Sequence, residues 1–153
     1  MNRPAFSARQ YPEHEIARIQ RELDRLKSIV DQNRVKERHE TTEAEVRAVL
    51  WARRQRELVL GKELFSDPAW DILLELYAAA LGQRRVPTSE LSIAAGIPLT
   101  TTLRWISKLE SEGLVTRADD PLDGRRVWIA LANQAVQMMS SYFNRVGAQE
   151  RLS

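Results

Sequence analysis

Side chains that could recognise another molecule are concentrated in the segment that follows Pro98. The face of this predicted helix that cannot be buried carries Thr100, Thr101, Thr102, Arg104 and Lys108. Threonine can contact base edges, phosphates or the thymine methyl group, and arginine can bond the O6 and N7 atoms of guanine. The lysine, one turn later, is suited to a phosphate. This pattern predicts contact with double-stranded DNA; the alternative is that the threonines only favour a helix start and the arginine is solvated.

A second charged cluster lies in the segment DDPLDGRR, from Asp119 to Arg126. Its turn-forming residues separate two short apolar runs, which predicts a two-stranded hairpin. Asp123 stands two residues before Arg125 and could hold that guanidinium out from the tip, with Arg126 beside it. A narrow minor groove attracts arginine side chains. Charged hairpin tips are common, so the hairpin alone is weak evidence for DNA binding. It becomes strong evidence because it follows a helix of the kind described above.

The elements around these clusters are predicted from their start and stop signals. Thr88 or Ser89 can cap a short helix Glu90–Ala95, and Gly96 ends it. The next helix runs from Pro98 to about Glu112, with its inward residues expected to be Leu103, Ile106 and Leu109. Strands follow at Leu114–Val115 and Val127–Leu131. An earlier helix starts at Ser66-Asp67-Pro68 and buries Trp70, Leu73, Leu74 and Tyr77.

Two short helices joined by a glycine turn, followed by strand, turn and strand, are the order of a winged helix-turn-helix. In that arrangement the first helix braces the second, which enters a major groove about 12 Å wide. Ser89, at the start of the first helix, is therefore added to the predicted DNA contacts. The fold class is predicted to be mainly α with a small β-wing, and the winged domain to span residues 62–132.

The N-terminal part carries a different pattern. Residues 1–12 lack periodicity and are predicted to form a disordered leader, whereas residues 13–61 are predicted to form a helical dimerisation segment. Steps of three and four residues define a coiled-coil-like apolar seam made of Ile16, Ile19, Leu23, Leu26 and Val30. Glu22 and Lys27 would pair across a parallel dimer. The alternative is one amphipathic helix lying on its own domain.

Two further helices complete the predicted chain. Thr42 and Glu45 fit a capping box at the start of a helix that runs towards Gly61. After the wing, residues 133–153 are predicted to form one C-terminal helix. Its apolar face holds Val136, Met139, Tyr142, Phe143 and Val146.

Composition excludes several classes of chemistry. The chain of 153 residues has no cysteine, so disulfides, thiolate metal sites and cysteine nucleophiles are excluded. Its only histidines, His14 and His39, do not suggest a metal site. We expect no cofactor, no enzymatic activity, no membrane span and a cytoplasmic location. The formal net charge is only +2 and residues 61–153 are net −1, so DNA binding must depend on where the charges lie.

The stretch SELSIAAGIPLTTTLRWISKLESEGLVTRADDPLDGRRVWIALA, from Ser89, resembles the winged helix of MarR-type transcriptional regulators. The resemblance covers Asp67–Leu131, a little under half of the chain. It implies a homodimer on a pseudo-palindromic operator, with Thr100–Thr102 and Arg104 in the major groove. It also implies Arg125 as the wing arginine in the minor groove, and Asp123 as its carboxylate partner.

The chain departs from the family at both ends. Only one helix fits after the wing, where many members have two, and the N-terminal extension is longer. We therefore expect dimerisation through the N-terminal seam, with the C-terminal helix as the alternative, and leave a small-molecule effector open. The predicted function is a homodimeric, sequence-specific DNA-binding repressor. The alternative is a winged-helix protein–protein interaction module in a regulatory complex.

Overall fold

The computed structural model describes residues 13–36 and 40–150, with side chains described for 13–30 and 40–147. The predicted leader, residues 1–12, lies outside the described residues, as do the last three residues of the predicted C-terminal segment. The chain divides into two compact units, Met1–Arg38 and His39–Ser153.

The described part of the first unit is one helix, α1 (Glu13–Lys36). Two acidic residues in its first turn, Glu13 and Glu15, favour a helix start because they oppose the positive end of the helix dipole. The five predicted seam residues lie along one stripe, and each side chain remains 47–57% exposed. The predicted helix is therefore present, with its apolar stripe uncovered among the described residues.

The second unit begins with α2 (Glu43–Leu60), followed by the one-turn α3 (Lys62–Phe65) and by α4 (Pro68–Leu81). The predicted capping box is present: the Thr42 N–H donates to the Glu45 carboxylate at 2.7 Å, and the Glu45 N–H donates to the Thr42 hydroxyl at 3.3 Å. Pro68 opens α4, and the Asp67 carboxylate accepts the Trp70 N–H. α3 was not predicted.

α2 packs against α4 in the second compact unit. Val46 and Leu50 are buried against the core, which α4 supplies with Ile72, Leu74 and Tyr77. The predicted segment 13–61 is therefore divided between the two compact units: α1 lies in the first, whereas α2 lies in the second and buries Val46 and Leu50 there. Trp70 and Leu73, which were predicted to be buried, are only partly so.

A three-stranded antiparallel sheet follows in the order β1 (Val86–Pro87), β3 (Val127–Leu131), β2 (Val115–Asp119). Val115 pairs with Leu131 and Asp119 with Val127, so β2 is longer than the predicted strand Leu114–Val115. Val86 pairs with Ile129, which adds a strand that was not predicted. The predicted position of β3 is confirmed, and a turn joins β2 to β3.

α5 (Thr88–Ala95) and α6 (Leu99–Ser111) form the helix-turn-helix. The turn contains Gly96 at φ +61°, a left-handed conformation that glycine adopts without steric cost. Ser89 lies inside α5, and neither Ser89 nor Thr88 caps it as predicted: the helix has no side-chain cap, and the Thr88 hydroxyl donates to the Val127 carbonyl. α7 (Asn133–Glu150) then returns to the core through Ala135 and Met139. The predicted winged helix-turn-helix architecture is confirmed.

Candidate nucleic-acid interface

α6 has one buried and one exposed face. Thr102, Ile106 and Leu109 are at most 5% exposed and form the line that packs against the core. With 3.6 residues per turn, positions 100, 103, 104, 107 and 108 lie away from this line, and position 99 lies beside it in the open first turn of the helix. All six are exposed and together form the exposed arc. α6 therefore presents a broad side to whatever lies outside the second unit.

Thr102 does not belong to this exposed side. Its side chain is completely buried, and its hydroxyl donates to the Pro98 carbonyl at 3.2 Å. The prediction that Thr102 faces a DNA groove is corrected for this reason. Thr100 is exposed, and Thr101 is half-buried at the edge of the arc.

Two leucines occupy the exposed arc instead. Leu99 is 48% exposed and Leu103 is 40% exposed. The prediction that Leu103 faces inward is wrong, because the core contact follows the four-then-three spacing of Thr102, Ile106 and Leu109. Sequence reasoning overlooked the pair because it assigned apolar residues to the core by type. The helical spacing from Ile106 and Leu109 was the signal that could have found it.

The cations of α6 are available at its surface. The Arg104 guanidinium is exposed and makes no hydrogen bond or ion pair with any residue that the structure describes. The Lys108 ammonium lies 5.3 Å from the centre of the Trp105 ring, which keeps it near the helix surface. Both cations are therefore placed where an anionic partner could reach them.

Arg117 on β2 fixes the wing to α6, a role that sequence reasoning missed. Its guanidinium donates to the Ser107 hydroxyl at 2.7 Å and lies 2.8 Å from the Glu110 carboxylate. Because Ser107 lies on the exposed arc, this contact ties the wing directly to the candidate interface. The wing and α6 can therefore act as one surface.

The wing tip, residues 120–126, is shaped by two aspartates. The Asp120 carboxylate accepts the Leu122 N–H at 2.9 Å, and the Asp123 carboxylate accepts the Arg125 N–H at 3.1 Å. The predicted partnership of Asp123 with the Arg125 guanidinium is corrected, because Asp123 binds the main chain of Arg125. The Arg125 guanidinium makes no ion pair within the described part of the chain.

Arg126 is held more closely than Arg125. Its guanidinium lies 5.4 Å from the centre of the Trp128 ring and 3.9 Å from the Asp120 carboxylate. Of the two adjacent wing arginines, Arg125 is therefore the one whose positive charge is uncompensated.

A cleft of about 350 Å³ joins the two predicted clusters. Its lining includes Ser89, Leu99, Leu103, Arg125 and Arg126. The structure thus brings the predicted wing residues and Ser89 next to the exposed side of α6. We call α6 positions 99, 100, 103, 104, 107 and 108, together with Arg125, the reading face.

Ion pairs brace the helices that support the reading face. Arg84 lies 3.0 Å from the Glu43 carboxylate on α2 and 3.9 Å from the Glu90 carboxylate on α5. The hydrogen bond from Arg84 holds the pKa of Glu43 below its usual value. Lys62 on α3 donates to the carbonyl of Gly96 in the helix-turn-helix turn. α2 and α3 therefore contact the elements that set the direction of α6.

Two further ion pairs join α2 to α4. The Arg47 Nη1 atom lies 2.7 Å from both carboxylate oxygens of Glu75, and the Arg53 Nε atom lies 2.6 Å from Asp71 Oδ1. Burial lowers the pKa of Arg47, but the hydrogen bonds and negative charges of Glu75 and Glu43 together outweigh this effect, and the pKa is raised. These four charged groups are committed to the fold and are not available to a ligand.

Within residues 13–36 and 40–150, no group of three or more His, Cys, Asp and Glu side chains could hold a metal ion. In the same ranges, no helix is long and apolar enough to cross a membrane.

No protein-family model and no curated protein sequence matches the chain. Among solved structures, a MarR variant from E. coli complexed with operator DNA matches over 53% of this chain and 55% of its own, at 23% identity and a TM-score of 0.47. MepR from S. aureus in its DNA-binding conformation matches over 73% of this chain and 82% of its own, at 18% identity and a TM-score of 0.49. PcaV from Streptomyces coelicolor, in complex with its natural ligand, matches over 56% of this chain and 58% of its own, at 20% identity and a TM-score of 0.45.

The aligned part spans about half the length of several of these proteins, 53–55% for MepR and two MarR structures. At TM-scores below 0.5, the fold assignment rests on the order of the chain's own helices and on the register of its sheet.

Proposed function

We propose that this protein is a MarR-type transcriptional regulator that binds double-stranded DNA as a homodimer at a pseudo-palindromic site. The observation that carries the proposal is the reading face, where the guanidinium groups of Arg104 and Arg125 are exposed and unpaired among the described residues. Because residues 61–153 hold more acidic than basic groups, this local arrangement is more informative than the total charge.

α6 is the recognition helix of the proposed complex. Thr100 and Arg104 would contact base edges in the major groove, where an arginine bonded to guanine contributes roughly 1–3 kcal/mol of discrimination. Lys108, one turn further along, would contact a phosphate. Ser89, at the start of α5 and at the rim of the cleft, would contact the backbone beside them.

The wing extends the contact to the adjoining minor groove. Asp123 and Asp120 order the main chain of the tip, and Arg125 projects from that turn without an internal partner among the described residues. A guanidinium in this position is suited to a narrow minor groove, where the negative potential is strongest. Arg126, which is held against Trp128, would support the backbone contact.

The seam on α1 is the proposed dimer interface. Ile16, Ile19, Leu23, Leu26 and Val30 form an exposed stripe on a helix of 24 residues. Burying such a stripe against a second copy removes apolar surface from water, and Glu22 of one chain could pair with Lys27 of the other. A two-fold axis would place two α6 helices about 34–36 Å apart, or an integral number of turns further.

Repression by occluding a promoter is the regulatory outcome we propose, with the protein in the cytoplasm and without catalytic activity. A small-molecule effector is not needed for this function. The alternative, a protein–protein interaction module, makes the opposite prediction for DNA: no sequence should be enriched.

The test is selection of bound duplexes from a random-sequence pool, followed by affinity measurements over a range of salt concentrations. We expect an enriched motif with two-fold symmetry. Arg104→Ala should weaken discrimination at one base position in each half-site. Lys108→Ala should weaken all sequences alike and lower the salt slope by about 0.9 for each phosphate that the variant no longer neutralises.

Arg54→Ala is the matched control, because Arg54 is an exposed cation on α2 and not part of the reading face. It should change neither discrimination nor slope. Absence of an enriched motif, or the same loss from Arg54→Ala as from Arg104→Ala, would contradict the proposal.

A further inference from the structure

Two leucines stand among the polar side chains of the reading face. Leu99 and Leu103 are 48% and 40% exposed, and both line the cleft that the wing arginines border. A leucine side chain cannot bind a phosphate, so a face that contacted only phosphates would gain nothing from these two residues. If the two leucines contact DNA, they must contact an apolar group of the duplex.

The thymine C5-methyl group is the apolar group that the major groove displays. Of the four bases, thymine presents a methyl group there, whereas cytosine presents an N4 amino donor. A leucine covers the methyl group favourably, but it offers no acceptor to a cytosine amino group, which would then lose water without gaining a hydrogen bond.

The charge around the leucines favours DNA as the occupant, since the Asp123 carboxylate that also lines the cleft accepts the Arg125 main-chain N–H. Arg104 lies one residue after Leu103, and Arg125 borders the same cleft; neither has an internal ion pair among the described residues. An apolar pair flanked by uncompensated cations fits a surface that combines methyl groups with phosphates.

We infer that Leu99 and Leu103 read thymine methyl groups on the wing-facing side of each half-site. The inference rests on the proposed function and names the base that this part of α6 selects. The two leucines are one helical turn apart, about 6 Å along the axis, which corresponds to roughly two base-pair steps of 3.4 Å. The site should therefore contain two thymines about two base pairs apart.

The experiment replaces the methyl group without changing base pairing. The best duplex from the selection is remade with uracil in place of each half-site thymine in turn, and the dissociation constant of the full-length protein is measured for each. Covering one methyl group changes affinity by about fourfold, so we expect two positions at which uracil weakens binding by about that factor.

Variants assign each methyl group to a side chain. In Leu103→Ala the uracil penalty should vanish at one of the two positions, and in Leu99→Ala at the other. Leu58→Ala is the matched control: Leu58 is a 78% exposed leucine on α2, and its loss should leave both penalties intact. Because all three leucines are at least 40% exposed, the variants should remain folded at the temperature of the binding assay, and their melting temperatures are measured alongside.

The outcomes separate this inference from the function on which it rests. An enriched motif with no uracil penalty refutes the leucine assignment but leaves DNA recognition standing. Penalties that persist unchanged in both Leu99→Ala and Leu103→Ala also refute it. Absence of any enriched motif refutes the proposed function, and the assignment with it.

Discussion

Substitution of Thr102 separates the structural face of α6 from its reading face. Thr102 is fully buried, and its hydroxyl donates to the Pro98 carbonyl at 3.2 Å, which the Thr102 main-chain N–H also reaches at 3.0 Å. The carbonyl therefore keeps one donor when the hydroxyl is removed. The methyl group of the same side chain is buried as well, on the line that Thr102 shares with Ile106 and Leu109.

These contacts give a graded series of stabilities. Thr102→Val keeps the shape and loses one hydrogen bond, which should cost no more than about 1 kcal/mol of unfolding free energy. Thr102→Ser removes one buried methyl group and should cost roughly 0.5–1.5 kcal/mol, as comparable one-carbon truncations do. Thr102→Ala removes both groups and should cost more than either. For a chain of this size, 1 kcal/mol lowers the melting temperature by about 2–4 °C.

The assay pairs thermal and urea unfolding with DNA selection. Thr102→Val should retain the sequence preference of the parent protein, whereas Thr100→Val should alter it without loss of stability. The two replacements are matched, because threonine and valine have similar helix propensities. A changed DNA preference in Thr102→Val with unchanged stability would refute the reasoning, since it would mean that Thr102 faces DNA.

Three further predictions concern the fold and the proposed dimer. Arg53→Ala should lower the unfolding free energy by about 3–5 kcal/mol, because it leaves the buried Asp71 carboxylate unpaired; a loss below about 1 kcal/mol in urea unfolding would contradict this. Glu43→Gln should lower the unfolding free energy at neutral pH, because it removes the carboxylate that Arg84 binds. Folding lowers the pKa of Glu43 from its usual 4.5. The Arg84 hydrogen bond therefore stabilises the folded protein fully above pH 4.5, and this stabilisation is lost as the pH falls through the lowered pKa. Urea titrations across this range should show the two proteins converging in acid, and a constant difference would exclude the linkage. Leu23→Glu should abolish self-association in sedimentation equilibrium while Ser28→Glu, off the seam, should not; equal behaviour of the two would argue against the α1 interface.

Much of the architecture was predictable because its signals are local. Pro68 and Asp67 define the start of α4, and the Thr42–Glu45 capping box defines the start of α2. The glycine turn before α6 and the turn residues of the wing then give the order of a winged helix-turn-helix. Such signals depend on a few neighbouring residues, so they can be read without knowledge of tertiary contacts.

The parts that were missed depend on contacts distant in sequence. β1 forms because Val86 pairs with Ile129 on β3. α2 is held in the second unit by the ion pairs of Arg47 and Arg53 with carboxylates on α4. No local periodicity encodes these pairings. They also explain why the predicted boundary after residue 61 differs from the compact unit that begins at His39.

The reading face was predicted in composition but not in detail. Arg104 and Lys108 are exposed as expected, whereas Thr102 and Leu103 exchange the roles that residue type suggested. A threonine can be buried because its hydroxyl reaches the carbonyl four residues earlier, and this local bond makes residue polarity a poor guide to burial in a helix.

Directed cleavage of DNA from tethered iron chelates tests the central claim most directly. The chain has no cysteine, so Ser111→Cys at the end of α6 and Leu122→Cys at the wing tip each provide one attachment point. On the selected duplex, we predict symmetric cuts within each half-site from the α6 probe and in the flanking minor grooves from the wing probe. Met138→Cys on α7 is the control and should cut neither region. Cleavage from the α7 probe alone, or from none of the three, would contradict recognition of DNA by α6 and the wing.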